Sequence, residues 1–501
     1  MFEIPARAPG DFRASGRWIR LILAAGALAY AWFIGEYTTV AAGGSDSSGY
    51  LNSARLLAEG RWRAELRVPP GIGPPGARDP RHFAPQGFNL FTGHPDLAPT
   101  YPTGLPLHLA LAGRGCGWNF GPWLVQWGGA LLAVVLLYAA AREMGIAVEL
   151  SGAGAAVLAL FPVFLFTSVQ TLSDTLATTW VLAAGWAALR SARGDRWAYA
   201  AGAAFAMAVL VRPTNLAAGP GLLLLLGMKG GRIGRFLLGG VPGACWMAGY
   251  NALLYGGVTR SGYGDIAAAF GWEWLGPTAP HFGRWMATLL PAGLLVLPVV
   301  ALADPAGRRR EVAGLLVAAG GIVGVYLFYD VSHDAWWCLR FILPAVALLI
   351  LAGLRGAESL VRRARERAAW VRPLLAAGIA AWAAAGSWHW TRALHVLYVP
   401  DYEQAYVDMG ELVGRVVPER GLVVCSVFSG ALYYYTRLPA LVYDGLGPEE
   451  FRRYAVQARA AGRPIYAVLF DLEEEEVLQR RCPGAWRRIG QVRKIGLWRL
   501  Y

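Results

Sequence analysis

Charged side chains make up only 16% of this 501-residue chain, so an acid or an arginine beside an apolar run is a candidate for chemistry. Ionisable groups at membrane depth are costly and read by default as functional. Asp46 stands in the polar stretch Gly43-Gly44-Ser45-Asp46-Ser47-Ser48-Gly49-Tyr50, just after the first apolar run. Tyr101-Pro102-Thr103-Gly104-Leu105-Pro106 precedes the second run, and Ser173-Asp174 lies between two later ones. Arg212-Pro213 and Trp337-Cys338-Leu339-Arg340 place cations beside others. A carboxylate within reach of a hydroxyl can orient it and take its proton. A guanidinium can hold a phosphate or carboxylate through two parallel hydrogen bonds. Each residue also has an ordinary use. Ser45 or Asp46 would N-cap a helix over 47–59 ended by Gly60. Asp174 would cap the helix that follows it, and both arginines would snorkel to anionic headgroups.

Other residues carry weaker signals. His82, His94, Asp96, His281, Asp330, His333 and Asp334 are candidate ligands for a divalent metal, but no spacing among them is diagnostic, so the metal is unknown. Asp265 and Glu273 are candidates for acceptor contact and read more simply as solvated loop residues. Trp336-Trp337 and Tyr433-Tyr434-Tyr435 could stack on a sugar. An interfacial belt explains the tryptophans better, and burial against a strand explains the tyrosines. The five cysteines are widely spaced without a CxxC, which indicates neither a zinc site nor a disulfide framework. Cys425 and Cys482 share the C-terminal part, with nothing to fix their separation.

The elements that must position these residues are apolar helices. The chain is 56% hydrophobic, and its mean hydropathy is +0.39, while soluble domains carry about 25% charged residues. Eleven runs suit membrane-spanning helices: 18–36, 121–141, 149–168, 173–190, 197–211, 214–228, 236–255, 285–303, 312–329, 341–355 and 372–390. Arg212-Pro213 marks either a loop or a kink between the fifth and sixth. Ala27-Leu28-Ala29 has the form of a signal-peptide cleavage site, but the apolar run continues through Trp32, Phe33 and Ile34, which favours an uncleaved anchor. The net charge of +13 is an orientation signal. With the N terminus inside, twenty basic residues fall in inner segments, among them Arg7, Arg232, Arg308, Arg365 and Arg367. The short outer loops hold only Arg212, Arg260, Arg284 and Arg340. That asymmetry is the positive-inside pattern, and it removes nucleic acid as a partner. Two outer segments are long. Residues 37–120 form a large first loop with a Pro/Gly-rich portion over 69–85, expected as a structured loop or short interfacial helices joined by turns. Residues 391–501 alternate β-rich runs (422–427, 465–470) with helical patterns (402–416, 448–461), which predicts a small α/β domain.

Five patterns in this order carry a family likeness: Asp46-x-x-x-Tyr50 followed by Ala54, Leu57 and Gly60; Tyr101-Pro102-x-Gly104-x-Pro106; Ser173-Asp174; Arg212-Pro213-Thr214-Asn215; and Trp337-x-x-Arg340-Phe341-x-x-Pro344. Over most of its length the chain resembles the GT-C class of polytopic glycosyltransferases, in the bacterial branch akin to the dolichyl-phosphate-mannose protein mannosyltransferases and the lipid A aminoarabinose transferases. Many members have Asp-Glu where this chain has Asp46-Ser47.

The resemblance implies an α-helical polytopic membrane fold, with a transmembrane part over 1–390 and an extracytoplasmic α/β domain over 391–501. It implies transfer of a sugar from a polyprenyl-phosphate donor to a glycolipid, polysaccharide or protein acceptor at the outer face of the cytoplasmic membrane. The attack would invert the anomeric carbon in one displacement, with Asp46 as base and Arg212 and Arg340 on the donor phosphate. Asp174 would meet the acceptor or a divalent metal, and Tyr50, Tyr101 and Trp337 would support the site. The competing expectation is a transporter or flippase of a lipid-linked saccharide, which would gather polar residues and helix breaks at mid-membrane. A non-catalytic assembly factor would leave Asp46 dispensable.

Overall fold

The computed structural model describes residues 11–72, 79–91, 94–306, 308–364 and 370–501. Arg7, Arg365 and Arg367, counted above among the inner arginines, lie outside the described residues. After the long α1 (Asp11–Tyr37), the first loop folds as α2 (Gly44–Ala58), two short antiparallel strands β1 (Phe88–Leu90) and β2 (Leu97–Pro99), and α3 (Gly104–Cys116). The helical body continues with α4 (Gly121–Glu143), α5 (Val148–Leu160), α6 (Pro162–Ser168), α7 (Ser173–Arg190), α8 (Trp197–Val211), α9 (Gly219–Leu225) and α10 (Gly230–Tyr255). It closes with α11 (Leu275–Leu289), α12 (Ala292–Val296), α13 (Pro298–Ala303), α14 (Arg309–Tyr326), α15 (Leu343–Ala364) and α16 (Val371–Ala393).

The eleven apolar runs coincide with helical residues, but proline divides several of them. Pro162 starts α6 at a bend of 59° from α5, because its ring removes a backbone donor and blocks the preceding helix. Pro291 and Pro298 split the run over 285–303 into separate helices. Among the described residues two helical stretches, Gly121–Glu143 and Trp336–Ala364, are long and apolar enough to cross a bilayer, or three if the bent pair is one span. Arg212 is extended, with φ −144° and ψ 107°, as expected for a residue before proline. It therefore ends α8, and Pro213–Ala218 continues as a 3₁₀ turn.

The C-terminal part begins with α17 (Val399–Val416) and alternates as the sequence pattern predicts: β3 (Leu422–Val424), α18 (Ser429–Tyr435), β4 (Ala440–Leu441), α19 (Pro448–Ala460), β5 (Ile465–Phe470), β6 (Trp486–Val492) and β7 (Ile495–Leu500). The sheet order is β4-β3-β5-β7-β6, with β3 parallel to β4 and β5, and β7 antiparallel to β5 and β6. Successive strand residues face opposite sides, so Val423 and Val468 pack with α17 and α18 while Val424 and Leu469 pack with α19. Cys425 and Cys482 are free and buried in the two separate cores.

This part docks on α2. Ser48, Asn52 and Arg55 share one face of α2 through i, i+4 and i+7 spacing. Asn52 Nδ2 donates to Gly430 O at 3.0 Å, and Arg55 donates to Tyr434 O at 3.0 Å with its guanidinium 3.5 Å from the Tyr434 ring. The Tyr435 hydroxyl accepts the Ala42 N–H at 2.8 Å. Tyr434 and Tyr435 thus meet α2 and the residues that lead into it, while Tyr433 packs on Phe88 of β1 with ring centroids 5.3 Å apart, a burial against a strand as expected.

Candidate active site

The polar stretch after α1 folds as the start of α2, and Gly43 takes the N-cap position without a side-chain cap. Asp46 falls inside the first turn. Its carboxylate is free of capping duty, and the helix begins three residues earlier than the 47–59 span expected. Asp174 is likewise the second residue of α7, whose N-cap is Leu172. Arg212 is delivered by the proline-terminated end of α8, and Arg340 by the 3₁₀ turn Trp336–Ile342 that leads into α15.

These four side chains converge. Arg340 Nη2 donates to Asp46 Oδ2 at 2.8 Å, and Arg340 Nη1 lies 3.9 Å from Asp174 Oδ2. Arg212 Nη1 lies 2.6 Å from Asp174 Oδ1 as an ion pair whose N–H bonds are not aligned on that oxygen. Arg212 Nη1 also reaches the Arg340 carbonyl at 3.4 Å. Asp174 is 1% exposed, whereas the Asp46 side chain keeps 28% of its surface open. A carboxylate buried as deeply as Asp174 requires paired cations, and the cluster closes with two charges of each sign.

An aromatic wall surrounds the charges. The Tyr50 hydroxyl donates to Ser173 Oγ at 3.0 Å, and its ring centroid is 4.8 Å from that of Tyr101. The Tyr101 hydroxyl reaches the Asp46 carboxylate. Gly49 permits this contact, because a Cβ there would stand 2.4 Å from the Tyr101 ring. Phe341 stacks on Tyr326 and lies 5.3 Å from the Arg212 guanidinium and 5.2 Å from that of Arg340. Burial raises the affinity of Asp46 for its proton, yet the Arg340 charge, the Tyr101 hydroxyl and Arg212 together hold the carboxyl below the usual range. Arg340 Nε is buried without a hydrogen-bond partner. Such a donor is costly unless something accepts from it.

Trp337 stands apart from this cluster. It is 44% exposed, and its ring meets Phe166 and Trp336, as a residue of an interfacial belt would. Asp265 and Glu273 are exposed. Two of the metal candidates have local partners: His82 meets the Tyr454 hydroxyl at 3.1 Å, and His281 meets the Ala335 carbonyl at 3.0 Å. Among the described residues no three His, Cys, Asp or Glu side chains converge as metal ligands would. Tyr263, Tyr326 and Glu403 join the site region without having been singled out from sequence. Tyr263 lies edge-on to Tyr101 at 5.9 Å, and its setting between Gly262 and Gly264 is the one local signal it carried.

Three solved structures share this architecture. ArnT from Cupriavidus metallidurans, bound to undecaprenyl phosphate, matches with a TM-score of 0.60 and 13% identity, over 96% of this chain and 97% of that one. The archaeal oligosaccharyltransferase AglB from Archaeoglobus fulgidus, in complex with an inhibitory peptide and a dolichol-phosphate, matches with a TM-score of 0.51 and 13% identity, over 92% and 70%. The arabinofuranosyltransferase AftD from Mycobacteria matches with a TM-score of 0.53 and 14% identity, over 96% of this chain and 40% of that one. No family model and no curated protein sequence matches the chain.

Proposed function

On a chain that has the GT-C fold, we propose an integral membrane glycosyltransferase that moves a sugar from a polyprenyl-phosphate donor to an acceptor hydroxyl at the extracytoplasmic face. The cytoplasmic membrane holds it with the N terminus inside and residues 391–501 outside. The observation that carries this reading is the joining of two outer arginines to two aspartates, with the buried Arg340 Nε left as a free donor. Two cations neutralised by two acids leave the cluster with no net charge. An arriving phosphate changes that balance by competing with Asp46 and Asp174 for the guanidinium groups. Arg340 then turns from Asp46 toward the phosphate, and the Asp46 carboxylate is released to accept the acceptor hydroxyl proton.

The acceptor oxygen bonds to the anomeric carbon from the face opposite the phosphate, and the bond from that carbon to the phosphate oxygen breaks. Its electron pair stays on the phosphate, whose added charge Arg212 and Arg340 stabilise. The anomeric centre inverts in this single displacement. The four charged groups sit at helix ends, which supports transfer over transport of a lipid-linked saccharide.

Transfer of radiolabelled sugar from a panel of polyprenyl-phosphate donors by the purified protein tests the reading. Asp46→Asn lowers kcat by about 10²–10⁴ if the carboxylate is the base. Undiminished transfer by Asp46→Asn would remove that assignment, and no transfer from any donor would leave transport as the better account.

A further inference from the structure

The reaction above leaves unused a buried acid that faces Asp46. Glu403, on the first turns of α17, rests its carboxyl group on Gly43, the N-cap of α2 three residues before Asp46. A Cβ at Gly43 would stand 2.4 and 2.6 Å from the two Glu403 carboxyl oxygens. Gly43 itself has φ −91° and ψ 155°, a conformation open to any residue. Its lack of a side chain therefore serves the approach of the carboxyl group rather than the backbone. The Gly43 backbone hydrogen-bonds to that carboxyl, while Oε2 is buried with no partner. The Tyr406 hydroxyl reaches the Gly44 backbone, and the Tyr435 hydroxyl takes the Ala42 N–H. Three consecutive residues at the entry to α2 are thus each held by the C-terminal part.

A half-satisfied buried acid is poor filler, since a hydrocarbon side chain would occupy the space without a desolvation cost. We propose that Glu403 is a positioning residue: seated on Gly43, it fixes the entry into α2 and thereby the placement of the Asp46 carboxylate. This rests on the reading of Asp46 as base.

The groups facing Glu403 are Asp46 from α2, Tyr406 from α17 and Tyr435 from α18. Burial, then the Asp46 charge, push the Glu403 carboxyl up to about 8 against the pull of the Gly43 hydrogen bond. Glu403 accordingly seats as a neutral acid and adds no charge beside Asp46. Raising the pH through that value places a second buried carboxylate next to Asp46 and weakens the seat.

The test compares the purified full chain with Glu403→Ala, Glu403→Gln, Gly43→Ala and the double variant Gly43→Ala/Glu403→Ala, using radiolabelled polyprenyl-phosphate sugar. Glu403→Ala and Gly43→Ala each lower kcat by about tenfold or more with donor KM little changed, because small misplacements of a reacting group are expensive. Removing the carboxyl relieves the clash, so the double variant is faster than Gly43→Ala alone. Glu403→Gln restores most of what Glu403→Ala loses, and it keeps its rate above about pH 8, where the native rate falls. Melting temperatures follow the contact without reference to catalysis. A carboxyl raised on folding loses stability as pH climbs from its unfolded value toward its folded one, so the native protein falls relative to Glu403→Gln over that window. Native kcat in Glu403→Ala, or identical pH profiles for the native protein and Glu403→Gln, overturns the proposal. Full activity in Asp46→Asn with an intact Gly43→Ala rescue in melting temperature would instead overturn the base assignment and leave the seat standing.

Discussion

Replacing Arg340 by alanine removes the one side chain among the described residues that is ion-paired to both acids, 2.8 Å from Asp46 and 3.9 Å from Asp174. Two unit charges 4 Å apart interact by about 4 kcal/mol at an effective dielectric near 20. The leaving phosphate gains its charge only as the bond to the sugar breaks, so the guanidinium stabilises the transition state more than the bound donor. Loss of one preorganised electrostatic partner costs about 2.7–4 kcal/mol, or about 10²–10³ in kcat. Arg340→Lys keeps the charge but not the paired donors, and one charge-assisted hydrogen bond of about 1.5–3 kcal/mol predicts a loss of about tenfold or more. Asp174 retains Arg212 and Asp46 retains Tyr101 in both variants, so the helical body stays assembled. Steady-state transfer rates at saturating donor read kcat, and displacement of radiolabelled donor by unlabelled polyprenyl phosphate reads the affinity of the phosphate site. A kcat within threefold of native in Arg340→Ala, together with unchanged displacement, refutes the assignment of the phosphate to this arginine.

The acid limb of the rate follows the depressed affinity of Asp46 for its proton. A carboxyl held down in the native site stays ionised until the pH falls through its lowered value, so activity persists below the ordinary aspartate value of about 3.9, provided the protein stays folded. In Arg340→Ala, which lacks the largest lowering influence, the limb moves to higher pH, and a pH–rate profile of both proteins measures the displacement. Gly49→Ala drives a Cβ to 2.4 Å from the Tyr101 ring and 3.0 Å from Gly87 Cα. The ring must tilt off Asp46, at an overpacking cost of about 1–3 kcal/mol. Lowered kcat with a lowered melting temperature is the expected result, read by transfer assay and thermal unfolding.

Asp46, Asp174, Arg212 and Arg340 were legible because each is an ionisable residue in a chain that otherwise withholds charge from its apolar runs. Their convergence followed from chain order and helix direction, which set all four at helix ends. The capping role for Asp46 failed on a local point: Gly43 occupies the N-cap, so the helix begins early enough to turn Asp46 onto Arg340. Span lengths were less legible, since hydropathy averages across Pro162, Pro291 and Pro298 while the backbone breaks there. Trp337 shares a turn with Arg340, yet its neighbour Phe166 comes from α6, a contact that spacing along the chain does not encode. Glu403 was invisible for the same reason. It is one acid in an acidic segment, and its partner Gly43 lies at the other end of the molecule in sequence.

The docking of the C-terminal part on α2 has a consequence for biogenesis. Ala42, Gly43 and Gly44 leave the ribosome early, whereas Tyr406 and Tyr435, which hold them, emerge after every apolar helix has been made. Chains are built N-terminus first, so a half-inserted polypeptide carries Asp46 on an unclamped helix start. The entry to α2 is therefore clamped only once the C-terminal part has been made and has folded onto it.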